Sequence, residues 1–135
     1  MPAKFIIALV LVAVRAAPLA AHHAFAAEFD VDKPVKVRGT ITKLEWVNPH
    51  AWLYVDVKGD DGKVVNWHFE LGPPNALIRL GWKRDSVPAG LEVEISGFRA
   101  KSGEPVANGR SIILPDGREL FSGGSGPASE GPGKK

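Results

Sequence analysis

The chain has 135 residues, with 17 Lys or Arg against 15 Asp or Glu, four histidines and four tryptophans. It has no cysteine, which excludes a disulfide framework, a thiolate metal centre and a thiol lipid anchor. The small positive balance vanishes once Lys4 and Arg15 are set aside, so the basic excess that marks a nucleic-acid binder is missing.

The first residues give a short basic head, an apolar run over 5–14, then Arg15 and a small-residue stretch to Ala21. A bilayer core takes about 20 apolar residues in a helix. The run is too short for an anchor and has the form of a cleaved export signal. Residues 1–21 are therefore read as a signal peptide and the mature chain as periplasmic or secreted, without a transmembrane anchor. Cleavage after Ala21 places Leu19 and Ala21 at the recognition positions and makes His22 the mature N-terminus. A short N-terminal segment, 22–33, leads into the domain.

Over 35–47 the apolar residues Val35, Val37 and Ile41 alternate, then Leu44 and Trp46 fall on the opposite parity. A slip of one residue turns every later side chain to the other face unless a bulge absorbs it. The slip predicts a long strand bent at a bulge near Thr42-Lys43. After Asn48-Pro49, the runs 50–58 and 63–71 alternate around Gly59-Asp60-Asp61-Gly62, which reads as a hairpin. Joining their two apolar faces demands that paired numbers sum to an even value. A three-residue loop with a left-handed Gly62 meets that demand by pairing 59 with 63. The register then sets Tyr54 opposite His68, Trp52 opposite Glu70 and Asp56 opposite Asn66, with His50 diagonal to Glu70.

Pro73-Pro74 suits a helix entry and Gly81 its exit, so a short helix is expected near 74–80, with Trp82 folding back on Leu77. Alternation resumes over 90–100, where Gly97 marks a second bulge. Asn108-Gly109 reads as a tight hairpin turn, 110–114 as a fifth strand, and Glu119-Leu120-Phe121 as a short final one. Val37, Ile41, Leu53, Val55, Trp67, Phe69, Leu77, Val93 and Ile95 are the expected core. From 122 onward glycine, serine and proline dominate, and 122–135 is expected to be a disordered tail. The fold class is mainly β: a small five-stranded OB-like barrel over 34–121, with one short helix between strands 3 and 4.

With its His22-His23-Ala24-Phe25 start and the stretch GTITKLEWVNPHAWLYV, the chain resembles a family of small exported bacterial proteins of unknown function. The Trp-x-Asn-Pro-His element is the most specific part, and the likeness runs from His22 to Phe121. The resemblance implies an exported OB-like barrel and supplies no substrate; the barrel itself hosts many unrelated functions.

The candidate site is the outer face of strands 2 and 3: Trp52, Tyr54, His68 and Glu70, with Trp46, Asn48 and His50 at its rim. OB folds hold ligands on this face, and rings beside a carboxylate and imidazoles can stack or hydrogen-bond. The alternative is that the same aromatics serve as scaffold beneath neighbouring segments. Asn48 before Pro49 also suits a turn-shaping role. The sequence therefore reads as an exported binding module whose partner is a small molecule or an envelope protein, with no required cofactor.

The rival reading is copper or zinc held by His22, His23 and His50, because a terminal amine and imidazoles form a tetragonal nitrogen site. His68 lies roughly 13 Å along the strand from His50, so only one of them joins an N-terminal pair. No HExxH motif, nucleophile motif or phosphate loop is present, and an enzyme is not expected.

Overall fold

The computed structural model describes residues 24–131. The expected signal peptide, His22, His23 and residues 132–135 lie outside them.

Alternation becomes six strands: β1 (Phe29–Glu45), β2 (Trp52–Lys58), β3 (Val64–Glu70), β4 (Glu92–Ala100), β5 (Val106–Ile113) and β6 (Glu119–Phe121). A short helix, Pro74–Arg79, lies between β3 and β4, and a helical turn at 24–28 precedes β1. The sheet order is β3-β2-β1-β4-β5-β6, and β3 also pairs with β5. That last pairing, parallel over His68–Glu70 and Val106–Asn108, returns the order to its beginning. The first five strands thus form a ring of pairings, with β6 added on the free edge of β5.

Both bulges and the hairpin register lie where the side-chain parity places them. β1 and β2 shift register between Ile41 and Lys43, and β4 and β5 shift between Ser96 and Gly97. Gly62 has φ 80°, its loop closes with Gly59 N–H donating to the Lys63 carbonyl, and Trp52↔Glu70, Tyr54↔His68 and Asp56↔Asn66 are partners. The odd-numbered faces of the hairpin close the core, where Leu53, Val55, Phe69 and Leu71 have no exposure. Gly39 suits the bend because a side chain there would strike the Asp56 carbonyl and lie 2.8 Å from Val55 Cγ1.

The helix starts on Pro74 without a side-chain cap and ends at Gly81, φ 93°. Trp82 N–H donates back to the Leu77 carbonyl at 3.0 Å, the bond expected when the chain reverses over a helix end. The Trp82 indole is buried with Leu77, and its Nε1–H donates to the Phe121 carbonyl at 2.8 Å. Six residues cannot hold a helix alone in water, so this one is held by that burial.

Four expectations need correction. Among the described residues the sheet has six strands rather than the five of the expected barrel, because the expected short final strand Glu119–Phe121 joins the same sheet through β5. β1 begins at Phe29 rather than 35, so part of the 22–33 segment is already sheet. Asn108-Gly109 is not a turn: both residues lie inside β5, and the chain reverses instead near Gly103, φ 79°. The ring overrides the local dipeptide signal, since β5 must reach both β4 and β3 at these positions.

Finally, residues 122–131 fold onto the body. Ser122 and Ser129 are buried, the Ser122 carbonyl accepts from Gly72 N–H at 2.7 Å, and Ser122 Oγ donates to the Gly109 carbonyl. These are backbone and hydroxyl anchors, which need no apolar period. The segment meets a second, smaller cluster in which Phe25, Phe29 and Ala100 pack with Phe98 and Val106.

Candidate functional site

The bulge in β1 decides which side chains meet outside the ring. Beyond it, Leu44 turns inward against Leu53, so Lys43 and Glu45 turn outward opposite Tyr54 and Trp52. The β2–β3 register continues both lines, giving one row Lys43–Tyr54–His68 and a second row Glu45–Trp52–Glu70. Neighbours across a strand on one face are close enough to touch.

They do touch in the first row. The Tyr54 and His68 rings are 4.5 Å apart between centroids, tilted by 60°. The Lys43 ammonium sits 5.5 Å from the Tyr54 ring centroid and 2.5 Å from Glu45 Oε1. The hydrogen bond from Lys43 holds the Glu45 carboxyl below its ordinary range, and burial followed by the Glu45 charge pushes the Tyr54 hydroxyl up. Trp52, Tyr54 and His68 are each half-buried, so their rings remain partly open to a partner.

The second row ends differently. Glu70 is only 8% exposed although it sits on the outer face. His50, just beyond the Asn48-Pro49 corner, brings Nδ1 to 3.5 Å from Glu70 Oε1. On the other side Glu70 partners Asn108 in the parallel ladder, and Asn108 is fully buried. The Asn108 amide helps to hold the Glu70 carboxyl down, yet neither its nitrogen nor its oxygen reaches a hydrogen-bonding geometry. Gly126 covers that oxygen so closely that a side chain there would collide with it, and Phe25 closes over Gly126.

Burial is the largest influence on Glu70 and pushes its carboxyl above the ordinary value; His50 opposes this and Glu28 adds to it. A raised carboxyl favours the protonated folded state. Its stabilising contribution is complete below the ordinary value of 4.5 and is lost as pH rises through the raised value. Glu70→Gln should remove that loss. The urea midpoint of the variant should gain on wild type as pH rises above 4.5. A constant difference across that range would contradict the assignment.

The sequence-predicted residues divide accordingly. Trp52, Tyr54 and His68 share one open surface, and His50 and Glu70 form a pair at its end. Trp46 does not join them, because it packs against the core beside Leu44. Asn48 is exposed at the corner. His22 and His23 lie outside the described residues. Among the described residues, no three His, Asp or Glu side chains come together as a metal-binding group, and no helix is long and apolar enough to cross a membrane.

Lys43, Glu45 and Asn108 join the expected residues at this face. Lys43 and Glu45 follow from the bulge once the outward parity is carried past it. Asn108 was hidden by the turn reading of Asn-Gly. A separate open groove of about 520 Å³ on β1, β4 and β5 is lined by Arg38, Glu92, Glu94 and Ile113, and takes in none of the predicted site residues.

The family of unknown function DUF6152 matches residues 8–109. The chain belongs to that family. The DUF6152 match spans all of β1 to β4, and with them both rows of the outer face and the His50–Glu70 pair. No curated protein and no solved structure gives a match.

Proposed function

We propose that the protein is an exported binding module on an OB-like barrel, and that it holds its ligand on the outer face of β1, β2 and β3. The barrel reading rests on the ring of pairings β1–β2–β3–β5–β4 and on the short helix between β3 and β4. The observation that carries the function is the convergence of three half-buried rings, Trp52, Tyr54 and His68, with the carboxylates of Glu45 and Glu70 in two registered rows. Open aromatic surface beside convergent polar groups suits a small organic molecule or an envelope protein segment. Stacking on the rings supplies affinity, and Glu45, Lys43 and His68 set orientation. Neither a nucleophile motif nor a phosphate loop accompanies these groups, so the reading is of binding without catalysis.

Export rests on the apolar run over 5–14 and the small-residue stretch to Ala21. The mass of the chain recovered from outside the cytoplasm tests it, with His22 expected as the first residue.

The binding face is tested by chemical-shift mapping. Isotope-labelled protein is titrated with a library of planar aromatic compounds and soluble cell-wall sugars. Shifts should gather on Trp52, Tyr54 and His68. Shifts confined to the groove around Arg38, Glu92 and Ile113, or none at all, would contradict the reading.

A further inference from the structure

The outer face of β2 and β3 has a third row beyond the two already described. Asp56 lies opposite Asn66, and both are half-buried on the outward side. Asn66 Nδ2 donates to Asp56 Oδ1 at 2.8 Å and to Thr42 Oγ1 at 3.2 Å, so its amide hydrogens are spent on protein groups. Asn66 Oδ1 and Asp56 Oδ2 take no donor among the described residues. This end of the face therefore offers acceptors, and its ligand must bring donors.

That requirement narrows the ligand. Phosphate and carboxylate groups bring acceptors only and meet Asp56 as a like charge. A cation meets a different obstacle one row away. The Lys43 ammonium sits 5.5 Å from the Tyr54 ring centroid and is bonded to Glu45 Oε1 at 2.5 Å. The ring and the carboxylate that would draw a cation are thus already engaged by one. A hydroxyl group donates, accepts and carries no charge. Between the polar groups, the half-buried rings of Trp52, Tyr54 and His68 supply apolar surface for C–H groups.

The rows also set a length. Trp52 and Asp56 stand at opposite ends of the outward side of β2, about 13 Å apart at about 3.3 Å per residue. This is the span of a short oligosaccharide rather than of one sugar ring. In a β-1,4-linked pyranose chain the equatorial substituents place hydroxyls along both edges and C–H bonds on both flat faces. Such a ribbon matches a surface with rings along its middle and acceptors at its end. We infer that the ligand of this face is a short, neutral, β-1,4-linked glycan, stacked on Trp52 and Tyr54 and donating hydroxyl hydrogens to Asp56 and Asn66. The inference rests on the outer-face reading and narrows it to one ligand class.

The test is titration of the purified protein with cellotriose and with chitotriose, its acetamido counterpart, followed by calorimetry and chemical shifts. At least one should bind and shift the signals of Trp52, Tyr54 and Asn66. Trp52→Ala should weaken that binding at least about tenfold, the loss of a stacking ring. Asn66→Ala should weaken it about fivefold, the loss of one hydrogen bond, and keeps the test valid should Trp52→Ala fail to fold. Thermal melts establish which variants are folded. Glu92→Gln, in the separate groove, should bind as wild type does. Glucose should bind at least about tenfold more weakly than the trisaccharide. No binding of either trisaccharide overturns the inference, as does binding that survives both Trp52→Ala and Asn66→Ala. Tighter binding of a galacturonic acid trimer or a lysine trimer overturns it too. Should planar aromatic compounds shift Trp52, Tyr54 and His68 while neither trisaccharide does, the glycan inference fails and the outer-face reading stands. Should nothing shift them, both fail.

Discussion

Phe69→Ala should unfold at a much lower urea concentration than wild type, with about 3–5 kcal/mol of stability lost. The ring has no exposure, opposes Leu53 across the hairpin, and stacks with Trp67 at 6.0 Å between centroids. It therefore stands where β2 and β3 close over the interior, and β5 runs alongside as its parallel partner through Ala107. Removing it opens a cavity that three paired strands cannot collapse to fill. A loss below about 1 kcal/mol would mean that the inward face had been assigned to the wrong parity.

Ending the chain after Phe121 should cost about 2–3 kcal/mol, from roughly three buried hydrogen bonds at about 1 kcal/mol each. Gly72 N–H loses the Ser122 carbonyl, Ser122 N–H no longer donates to the Arg110 carbonyl, and the Ser122 hydroxyl leaves Gly109. The same cut uncovers Asn108 beneath Gly126. Gly126→Ala alone should reproduce part of the loss, because the added methyl meets the Asn108 oxygen and lies 3.1 Å from the Phe25 ring. An unchanged melting temperature in the truncated chain would show that 122–131 adds nothing to the fold.

That segment marks the limit of what composition can reveal. A Gly/Ser/Pro run has no apolar period, so its pattern points to a tail. Its attachment runs through the Ser122 hydroxyl and backbone bonds, with Ser129 bonding Gly124 inside the segment and a left-handed Gly123, φ 65°, none of which leaves a periodic trace. Asn108 failed to read correctly for a related reason. Asn-Gly is a strong local turn signal, but the residues on either side answer to pairings with β3 and β4 that no short window contains.

Where the information was local and periodic, the sequence reading was sufficient. The parity slip between Ile41 and Leu44 located a bulge, and the even-sum condition on the hairpin selected its loop and every pair along it. Those two results alone bring Trp52, Tyr54, His68 and Glu70 onto one face. The companions of that face, Lys43 and Glu45, were implicit in the bulge. The burial of Glu70 was not, because it depends on Asn108 and on the segments around Phe25–Glu28 and Gly126.

In the function proposed above, the open part of this face is a working surface rather than scaffold. Tyr54 is the residue that separates the two, since its half-buried ring lies on the outer face beside His68, Lys43 and the Glu45 carboxylate. Cross-strand pairs of this kind stabilise a sheet by about 0.2–1 kcal/mol. The deciding measurement is the urea melt of Tyr54→Ala. A loss within about 1 kcal/mol, with the melt still cooperative, is the expected result and leaves the ring free for a partner. A loss of about 3 kcal/mol or more, as for a buried aromatic, would make Tyr54 part of the scaffold and contradict the claim.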